Sequence, residues 1–450
     1  MQSRKKLTLL TLTIVLSLFI ASVSAVSYFA LLWPFAAYGQ ILPHALDSFR
    51  NVVYFGSGTT FGPHNFLYAV NITNGQEIWH YNTSLPVNYV SHFNISGNPS
   101  IVAGTGGSGS QPGKSYVIAR SPSNTTLWKS VNLNASVTSV GSVESNVTGS
   151  DDIVAGLSNG TIVRLSGTNN GNILWKYPYA NGTVFTVSNL KGGSIIAGSM
   201  DSNSNGHVYS LEMNGTLRWS FPSPPLFIVG RPLLKVFQDL TGDGIPEVIA
   251  AFHDGKIHVL NGATGQEVTQ KGWPFPSPGS FSIKDLLCTQ DYTGDSFPDI
   301  VAATDNGTLI IVNGQNASLF RGPTLIATSL SYIQYMYFYK AGKTYLNRTL
   351  AVSASDLGPP LTYSIRGVNA TTLTVMKQYN PSAQALNLFN IGNFTSNFTG
   401  DLIFTGGNTV YCLSGTDIIV PEFASNFILI SLIISVWLLM LVLRKRLQSD

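Results

Sequence analysis

The chain has little charge. Only 10% of its 450 residues are Asp, Glu, Lys or Arg, whereas about 25% is usual for a soluble protein. Part of the positive charge lies at the two ends, in residues 4–6 and 444–446, so the interior is close to neutral. Since nucleic-acid binding needs a basic surface, we expect no nucleic-acid partner.

Cysteine and catalytic motifs are also scarce. The two cysteines, Cys288 and Cys412, cannot form a disulfide framework, and we expect both to be buried, unpaired thiols. The sequence contains no H-E-x-x-H, G-x-S-x-G or P-loop motif. His253 and His258 flank a turn, where a surface role is expected. These absences favour a protein that is not an enzyme.

What the chain does contain is a repeat of short apolar strands, each followed by a hairpin and a second strand. The last residues of these strands lie 42 to 53 residues apart: Gly56, Gly104, Gly156, Gly198, Ala251, Ala303, Ala354 and Gly406. Four of the hairpins carry Asn-Gly or Asp-Gly, the usual type I′ pair. A period near fifty with strand-rich units predicts an all-β fold, an eight-bladed β-propeller over residues 26–416. Seven blades, or a linear β-solenoid, are the alternatives.

The N-terminus has the layout of a secretory signal. A basic start and an apolar run precede a small-residue cleavage site after Ala25, so residues 1–25 are a predicted signal peptide. The alternative is an uncleaved anchor helix, because residues 28–35 remain apolar. If the signal is removed, we expect this remainder to be a strand that pairs into the last blade and closes the ring.

The C-terminus predicts a membrane anchor. After a short stalk, residues 417–426, comes the uncharged apolar stretch 427–443 and then the basic tail 444–450. This order fits a transmembrane helix with a cytoplasmic tail, and a buried core helix is the alternative. The chain is therefore expected to be a single-pass cell-membrane protein with a large extracellular domain.

An extracellular address agrees with the many Asn-x-Ser/Thr sequons. The glycosylation candidates are Asn71, Asn82, Asn94, Asn124, Asn134, Asn146, Asn181, Asn214, Asn347 and Asn369.

Two acidic loops precede the fifth and sixth repeated strands. Their alternate positions carry oxygen ligands, as a calcium site requires. The predicted ligands of the first loop are Asp239, Thr241, Asp243, the Ile245 carbonyl and Glu247. Those of the second are Asp291, Thr293, Asp295, the Phe297 carbonyl and Asp299. The alternative is an acidic turn capped by its own backbone. Residues 144–152 and 393–401 are weaker copies.

Three resemblances follow from these motifs. The strand–turn–strand pattern ending in Trp79, Trp128, Trp175 and Trp219 resembles the repeat of quinoprotein-like (PQQ-type) β-propellers, whose tryptophans dock adjacent blades. Units six to eight lack that tryptophan. The acidic loops resemble FG-GAP calcium loops, which implies structural calcium. The end of the chain, with Val420-Pro-Glu-Phe423, resembles the PEF-type sorting tail of archaeal surface proteins, which implies a lipid anchor after processing.

Active quinoproteins hold their quinone with an adjacent cysteine pair, which is missing here, so no PQQ is expected. The leading interpretation is a non-catalytic cell-surface propeller that binds a glycan or an envelope or cell-surface protein. The alternatives are a divergent extracytoplasmic oxidoreductase and a structural subunit of the envelope lattice.

Overall fold

The computed structural model describes residues 27–419, apart from 59–63, 108–112, 191–192, 223–231, 253, 277–281, 341–342, 357–360 and 393–400. All the secondary-structure elements in this part of the chain are β-strands, and it contains no helix. No described helix is long and apolar enough to cross a membrane. The predicted signal segment, the transmembrane helix and the PEF motif lie outside the described residues.

The strands form blades of four, taken in chain order after the N-terminal strand β1 (Ser27–Ala36). Blade 1 contains β2 (Gln40–Phe49), β3 (Val52–Gly58), β4 (Phe66–Asn71) and β5 (Glu77–Asn82). Blade 2 contains β6 (Val87–Ile95), β7 (Asn98–Thr105), β8 (Val117–Arg120) and β9 (Thr126–Lys129). Blade 3 contains β10 (Val137–Glu144), β11 (Asp151–Leu157), β12 (Ile162–Leu165) and β13 (Ile173–Tyr177). Blade 4 contains β14 (Thr183–Leu190), β15 (Ser194–Met200), β16 (Gly206–Glu212) and β17 (Leu217–Pro222).

The second half of the ring follows the same plan. Blade 5 contains β18 (Leu233–Val236), β19 (Val248–Ala251), β20 (Lys256–Leu260) and β21 (Phe275–Pro276). Blade 6 contains β22 (Ile283–Gln290), β23 (Asp299–Thr304), β24 (Thr308–Val312) and β25 (Leu319–Leu325). Blade 7 contains β26 (Ser329–Lys340), β27 (Lys343–Asp356), β28 (Thr362–Asn369) and β29 (Val375–Tyr379). Blade 8 contains β30 (Ala385–Gly392), β31 (Asp401–Gly406), β32 (Thr409–Ile419) and β1.

The first strand of each blade is innermost. These strands contact one another in succession from β2 to β30, and β30 contacts β2. The ring is therefore closed with eight blades, as the repeat predicted, and the seven-blade and solenoid alternatives are wrong.

The N-terminal strand closes the ring. β1 pairs antiparallel with β32, from Ser27 opposite Ile419 to Ala36 opposite Thr409. It also pairs in parallel with β29 through Ser27 and Tyr28, which joins blades 7 and 8 into one eight-stranded sheet. The prediction that N-terminal residues pair into the last blade is confirmed, and β32 runs past residue 416 to meet them.

Antiparallel order gives the ring two faces. We call the connector face the one that carries the links between blades and the hairpins between second and third strands, such as Asn159–Gly160. The turn face carries the loops between first and second strands and between third and fourth strands. Both acidic loops lie on the turn face.

The core is divided among the blade interfaces. Eight clusters of buried apolar side chains each span two neighbouring blades. Cys288 lies in the cluster between blades 5 and 6, and Cys412 in the cluster between blades 8 and 1. Both are buried and unpaired, as predicted.

The repeated glycines belong to this interblade packing. A Cβ added at Gly56 would lie 2.2 Å from Val87, and one at Gly104 would lie 2.5 Å from Val137. Each valine belongs to the first strand of the following blade. The second strand and the neighbouring blade therefore approach too closely for any side chain, which explains why the first four of the eight strands end their apolar run at glycine.

Tryptophans fix the same interfaces at the turn face. The indole N–H groups of Trp79, Trp128, Trp175 and Trp219 donate to backbone carbonyls of the next blade, at 2.8, 3.2, 2.9 and 3.0 Å. The docking expected from the PQQ-type pattern is confirmed for these four. The sequence interpretation missed a fifth: Trp33 of β1 donates to the Ile72 carbonyl at 2.8 Å. Blade 8 thus has its tryptophan, supplied from the other end of the chain.

Trp33 should therefore contribute strongly to ring closure. Trp33→Ala removes a side chain that is 6% exposed together with its hydrogen bond, and such substitutions cost about 3–5 kcal/mol. We expect a clear fall in the thermal unfolding midpoint. Leu32→Ala is the control, because Leu32 is exposed in the same strand. Equal midpoints for the two variants would contradict closure by Trp33.

Candidate functional site

The first acidic loop, residues 239–247, joins β18 to β19 on the turn face. Asp239 accepts the backbone N–H of Gly242 at 2.6 Å and that of Gly244 at 2.7 Å, one on each carboxylate oxygen. Asp243 accepts the N–H of Ile245 at 2.8 Å. The loop thus curls around its own carboxylates, because turns with positive φ at Gly242 and Gly244 point successive N–H groups inward.

Glu247 anchors the other end of this loop. Its side chain is fully buried and accepts the N–H groups of Leu240 at 2.5 Å and Thr241 at 3.1 Å, and the Thr241 hydroxyl at 2.7 Å. A buried carboxylate needs such donors to offset its loss of water. Of the predicted ligands, Thr241 and Glu247 are therefore in direct contact.

The second loop, residues 291–299, repeats this geometry between β22 and β23. Asp299 is fully buried and accepts the N–H groups of Tyr292 at 2.6 Å, Thr293 at 2.8 Å and Gly314 at 3.2 Å. Ser296 adopts φ 68° where the first loop has glycine. Two loops of different sequence reach one arrangement because each ends in a buried acid that collects the loop's N–H groups.

Sequence reasoning missed the asparagine that fastens each loop to the following turn. The Asn261 amide donates to Thr241 Oγ1 at 3.0 Å and to Asp243 Oδ2 at 2.7 Å. Asn313 does the same with Thr293 at 3.1 Å and Asp295 at 2.6 Å. The signal was present, since an Asn begins the turn after the third strand in both units.

Two carboxylates of the second loop, Asp291 and Asp299, have opposite pKa shifts. Burial raises the pKa of Asp299 although backbone N–H groups oppose the shift. Burial also opposes ionisation of Asp291, but the N–H groups of Gly294 and Ser296 hold its pKa below its usual range. In the first loop, the Gly244 N–H is the main cause that lowers the pKa of Asp239.

The second loop is the better fit to a cation. Carboxylate oxygens of Asp291, Asp295 and Asp299 all lie within 4.8 Å of one another, and hard oxygens are what calcium binds. Thr293 adds a hydroxyl beside them. The same oxygens accept the Asn313 amide and several N–H groups, so the capped-turn alternative also fits. Calcium binding in both loops stays a prediction.

The buried acid also occurs where the acidic loop is degenerate. Asp152 is the second residue of β11 in blade 3 and Asp401 is the first residue of β31 in blade 8, and both are buried. Asp152 accepts the Gly167 N–H at 2.9 Å, as Asp299 accepts that of Gly314, and it pairs with Arg164 at 2.7 Å. Because blade 3 keeps the acid with an arginine beside it, the acid fastens the start of the second strand independently of any cation.

A second charged cluster was not expected from the sequence. His258 is 2% exposed, so its predicted surface role is wrong: it lies in the middle of β20. Its Nε2 contacts Asp254 at 2.9 Å and its Nδ1 contacts Glu267. The Phe252 ring packs edge-on at 5.3 Å. Since the carboxylates contact opposite nitrogens, they do not converge on a metal together with the ring; they pair with the imidazole from both sides.

The connector face presents exposed aromatic side chains on links between blades that hydrogen bonds hold in place. We call these clipped links. Tyr179 is 74% exposed and Tyr38 is 67% exposed. Two hydrogen bonds fix the backbone of Tyr38. Its N–H donates to the Tyr68 hydroxyl at 3.1 Å, and its carbonyl accepts the Ser57 hydroxyl at 2.8 Å. Tyr38 also stacks on His64 at 5.7 Å.

The link of Tyr179 is held in the same way three blades further round the ring. The N–H of Asn181 donates to the Tyr209 hydroxyl at 2.9 Å. The ring of Tyr179 packs edge-on against buried Tyr177 at 5.4 Å. Both exposed tyrosines therefore stand on backbone fixed from below.

The glycosylation candidates differ in exposure. The exposed ones are Asn82, Asn94, Asn134, Asn146, Asn181 and Asn214. Asn71, Asn124 and Asn369 are partly buried, and the side chain of Asn347 lies outside the described residues. Glycosylation itself stays a prediction.

The comparisons with known proteins agree with this architecture. Residues 113–322 match the family described as "Outer membrane protein assembly factor BamB", a stretch from blade 2 to blade 6 that is a little under half of the chain. The PQQ-type repeat is thus supported there. No curated protein sequence matched.

Among solved structures, the computationally designed Ika8 protein is 15% identical, with a TM-score of 0.59, and the match covers 85% of this chain and 99% of that one. BamB from Moraxella catarrhalis is 14% identical, with a TM-score of 0.54 and coverage of 86% and 99%. Chaetomium thermophilum Sqt1, bound to the N-terminus of the ribosomal protein L10, is 14% identical, with a TM-score of 0.58 and coverage of 86% and 98%. At these identities the likeness establishes the fold alone.

The second loop gives a direct test for calcium. A ligand at 100 times its Kd adds about 2.7 kcal/mol to the folded state, so calcium should raise the thermal midpoint above that measured with a chelator. Asp295→Asn should reduce this rise, whereas Asp305→Asn, in the hairpin of the same blade, should not. If calcium leaves the midpoint unchanged, the loops are backbone-capped turns only.

The His258 cluster predicts a pH dependence. Burial lowers the pKa of His258, but its contacts with Asp254 and Glu267 outweigh burial and raise it. A raised folded pKa stabilises the protein below the unfolded value of about 6.5, and this contribution is lost as pH rises through the folded pKa.

Comparison with His258→Gln tests this cluster. Hydrogen bonds to charged groups contribute about 1.5–3 kcal/mol, so the free energy of unfolding should fall by that order at pH 5.5 and by less at high pH. Chemical denaturation at several pH values measures the difference. A difference that stays constant with pH would mean that His258 is neutral in the folded protein.

Proposed function

We propose that this protein is a non-catalytic propeller of the cell surface that binds a partner protein through its connector face. The observation that carries the proposal is the pair of exposed tyrosines on clipped links. Tyrosine is enriched among the residues that dominate binding energy, and an aromatic held in place before binding loses little entropy on association. Neither tyrosine is needed to cover the core.

The rest of the connector face supports this role. Val131, on another link, is 58% exposed, and Leu325, at the end of β25, is 71% exposed. Large apolar side chains repeated on one rigid face favour a macromolecular partner over a small molecule. Sqt1, a propeller of similar fold, is bound to the N-terminus of a ribosomal protein, so this kind of ring can hold a protein segment.

The cell-surface part of the proposal depends on the two ends of the sequence. An apolar stretch with a basic stop at the C-terminus and a signal-like N-terminus would put the ring outside the membrane. The sequons agree with that placement. The partner would then be an envelope or cell-surface protein, with a surface glycan as the alternative ligand.

Site-specific photocrosslinking tests the proposed face. A photoreactive phenylalanine analogue at Tyr179 should give a discrete protein adduct in intact cells, because that side chain projects from the connector face. The same analogue at Leu217 is the matched control, since Leu217 is 46% exposed on the outer strand of blade 4. Identical adducts from both positions, or none from Tyr179, would contradict the proposal.

A binding measurement gives the contribution of the two tyrosines to the binding free energy. Loss of one aromatic that dominates an interface costs about 2 kcal/mol or more, so Tyr38→Ser with Tyr179→Ser should greatly weaken binding of the crosslinked partner. The thermal midpoint should stay unchanged because both side chains are exposed. Full binding by this variant would move the interface elsewhere.

A further inference from the structure

The turn face contains a cleft that neither the acidic loops nor the connector face explains. Its volume is about 430 Å³, and its wall runs from Arg50 in blade 1 across blade 2 to Asn170 in blade 3. Ligand sites commonly fall in the range of about 300–1,000 Å³. Because it reaches across three successive blades, an elongated ligand would fit it better than a compact one.

One part of the cleft lining is apolar and fixed. Pro122, Leu127 and Trp128 line it. Trp128 is held by its indole hydrogen bond to Gly167 at 3.2 Å, and Leu127 is 39% exposed. Pro122 is fixed from the other side, since its carbonyl accepts the Trp79 indole. The blade docking that holds the ring together therefore also preforms this surface.

Arg50 supplies a charge at one end. It occupies the two-residue turn between β2 and β3 with φ 50°, and Asn51 follows with φ 62°. Such a turn usually carries Gly or Asn, because other residues pay about 1–2 kcal/mol for the left-handed conformation. An arginine is present despite that cost.

No carboxylate pairs with Arg50 among the described residues. Its guanidinium lies 5.0 Å from the centre of the Phe49 ring, a contact that leaves its N–H groups available. The nearest acid in sequence, Asp47, instead accepts the backbone N–H and the ring nitrogen of His92, both at 2.7 Å. The cation is thus free to pair with a ligand, and a carboxylate is the group that matches its fork.

We infer that this cleft binds an extended peptide segment whose carboxylate pairs with Arg50 while apolar side chains lie on Leu127 and Trp128. A single arginine in a cleft with apolar lining residues suits one carboxylate better than a polyphosphate. Serine, threonine and asparagine side chains along the rim, Ser96, Ser121 and Thr168 among them, can bond the peptide backbone. The site lies on the opposite face from the proposed partner surface and does not depend on it.

A positional-scanning library of hexapeptides tests the inference on the full-length protein in mild detergent. The wild type should select Asp or Glu at one position and apolar residues beside it. Arg50→Gln should lose the acidic preference and weaken binding of the best peptide about tenfold. Arg50→Lys should keep part of both.

Two controls separate recognition from misfolding. Arg321→Gln removes another arginine that lies over a phenylalanine, Phe320, at 4.1 Å. This variant should select and bind the same peptides as the wild type. Leu127→Ser should weaken the apolar preference but keep the acidic one, and since Leu127 is partly exposed the variant should fold. A library without acidic enrichment, or the same enrichment on Arg50→Gln, would overturn the inference.

Discussion

Five indole hydrogen bonds to neighbouring blades hold together five of the eight blade interfaces of this ring. A blade of four strands cannot bury both of its faces alone, so each sheet must be held against the next. A tryptophan near the start of the outer strand does this twice over: its ring covers apolar surface, and its N–H donates to a carbonyl of the following blade. The glycine or small turn beneath it is a consequence. A Cβ at Gly265 would lie 2.5 Å from the Trp219 ring, so position 265 must be glycine for the indole to pack against the turn.

The loops of blades 5 and 6 are fastened differently. Blades 5, 6 and 7 lack the docking tryptophan, and in blades 5 and 6 the loop before the second strand becomes long and acidic. There the buried carboxylates of Glu247 and Asp299 collect backbone N–H groups, and Asn261 and Asn313 tie each loop to the next turn. Both devices act at the turn face: indole docking in blades 8 and 1 to 4, and hydrogen-bonded acidic loops in blades 5 and 6. A cation in the second loop would bind carboxylates that already accept hydrogen bonds within the protein.

The sequence predicted what is local. Strands, hairpins, blade number and four of the tryptophans could be predicted, because a fifty-residue period and paired turn residues are readable within one unit. Trp33 could not be assigned, since its role depends on β1 pairing with β32 at the far end of the chain. The burial of His258 was missed for a related reason: the alternation of β20 shows which residues share a face, but not that Glu267, in the connection between β20 and β21, contacts the His258 ring. Asn313 was visible as a turn residue, and only the fold shows that its amide reaches back to Asp295.

The low charge of the chain follows from the packing of the blades. Most strand residues pack into the eight interblade cores, where a charged side chain must be paired, as Arg164 is with Asp152. Turns and links are the positions where packing constrains side chains least. The exposed Tyr38 and Tyr179 lie on links between strands. Arg50 lies in a turn, where it can adopt a strained conformation because no core contact selects the residue there. Side chains at such positions are the part of a propeller that can change without loss of the ring, so they are where the specificity of this one should be found.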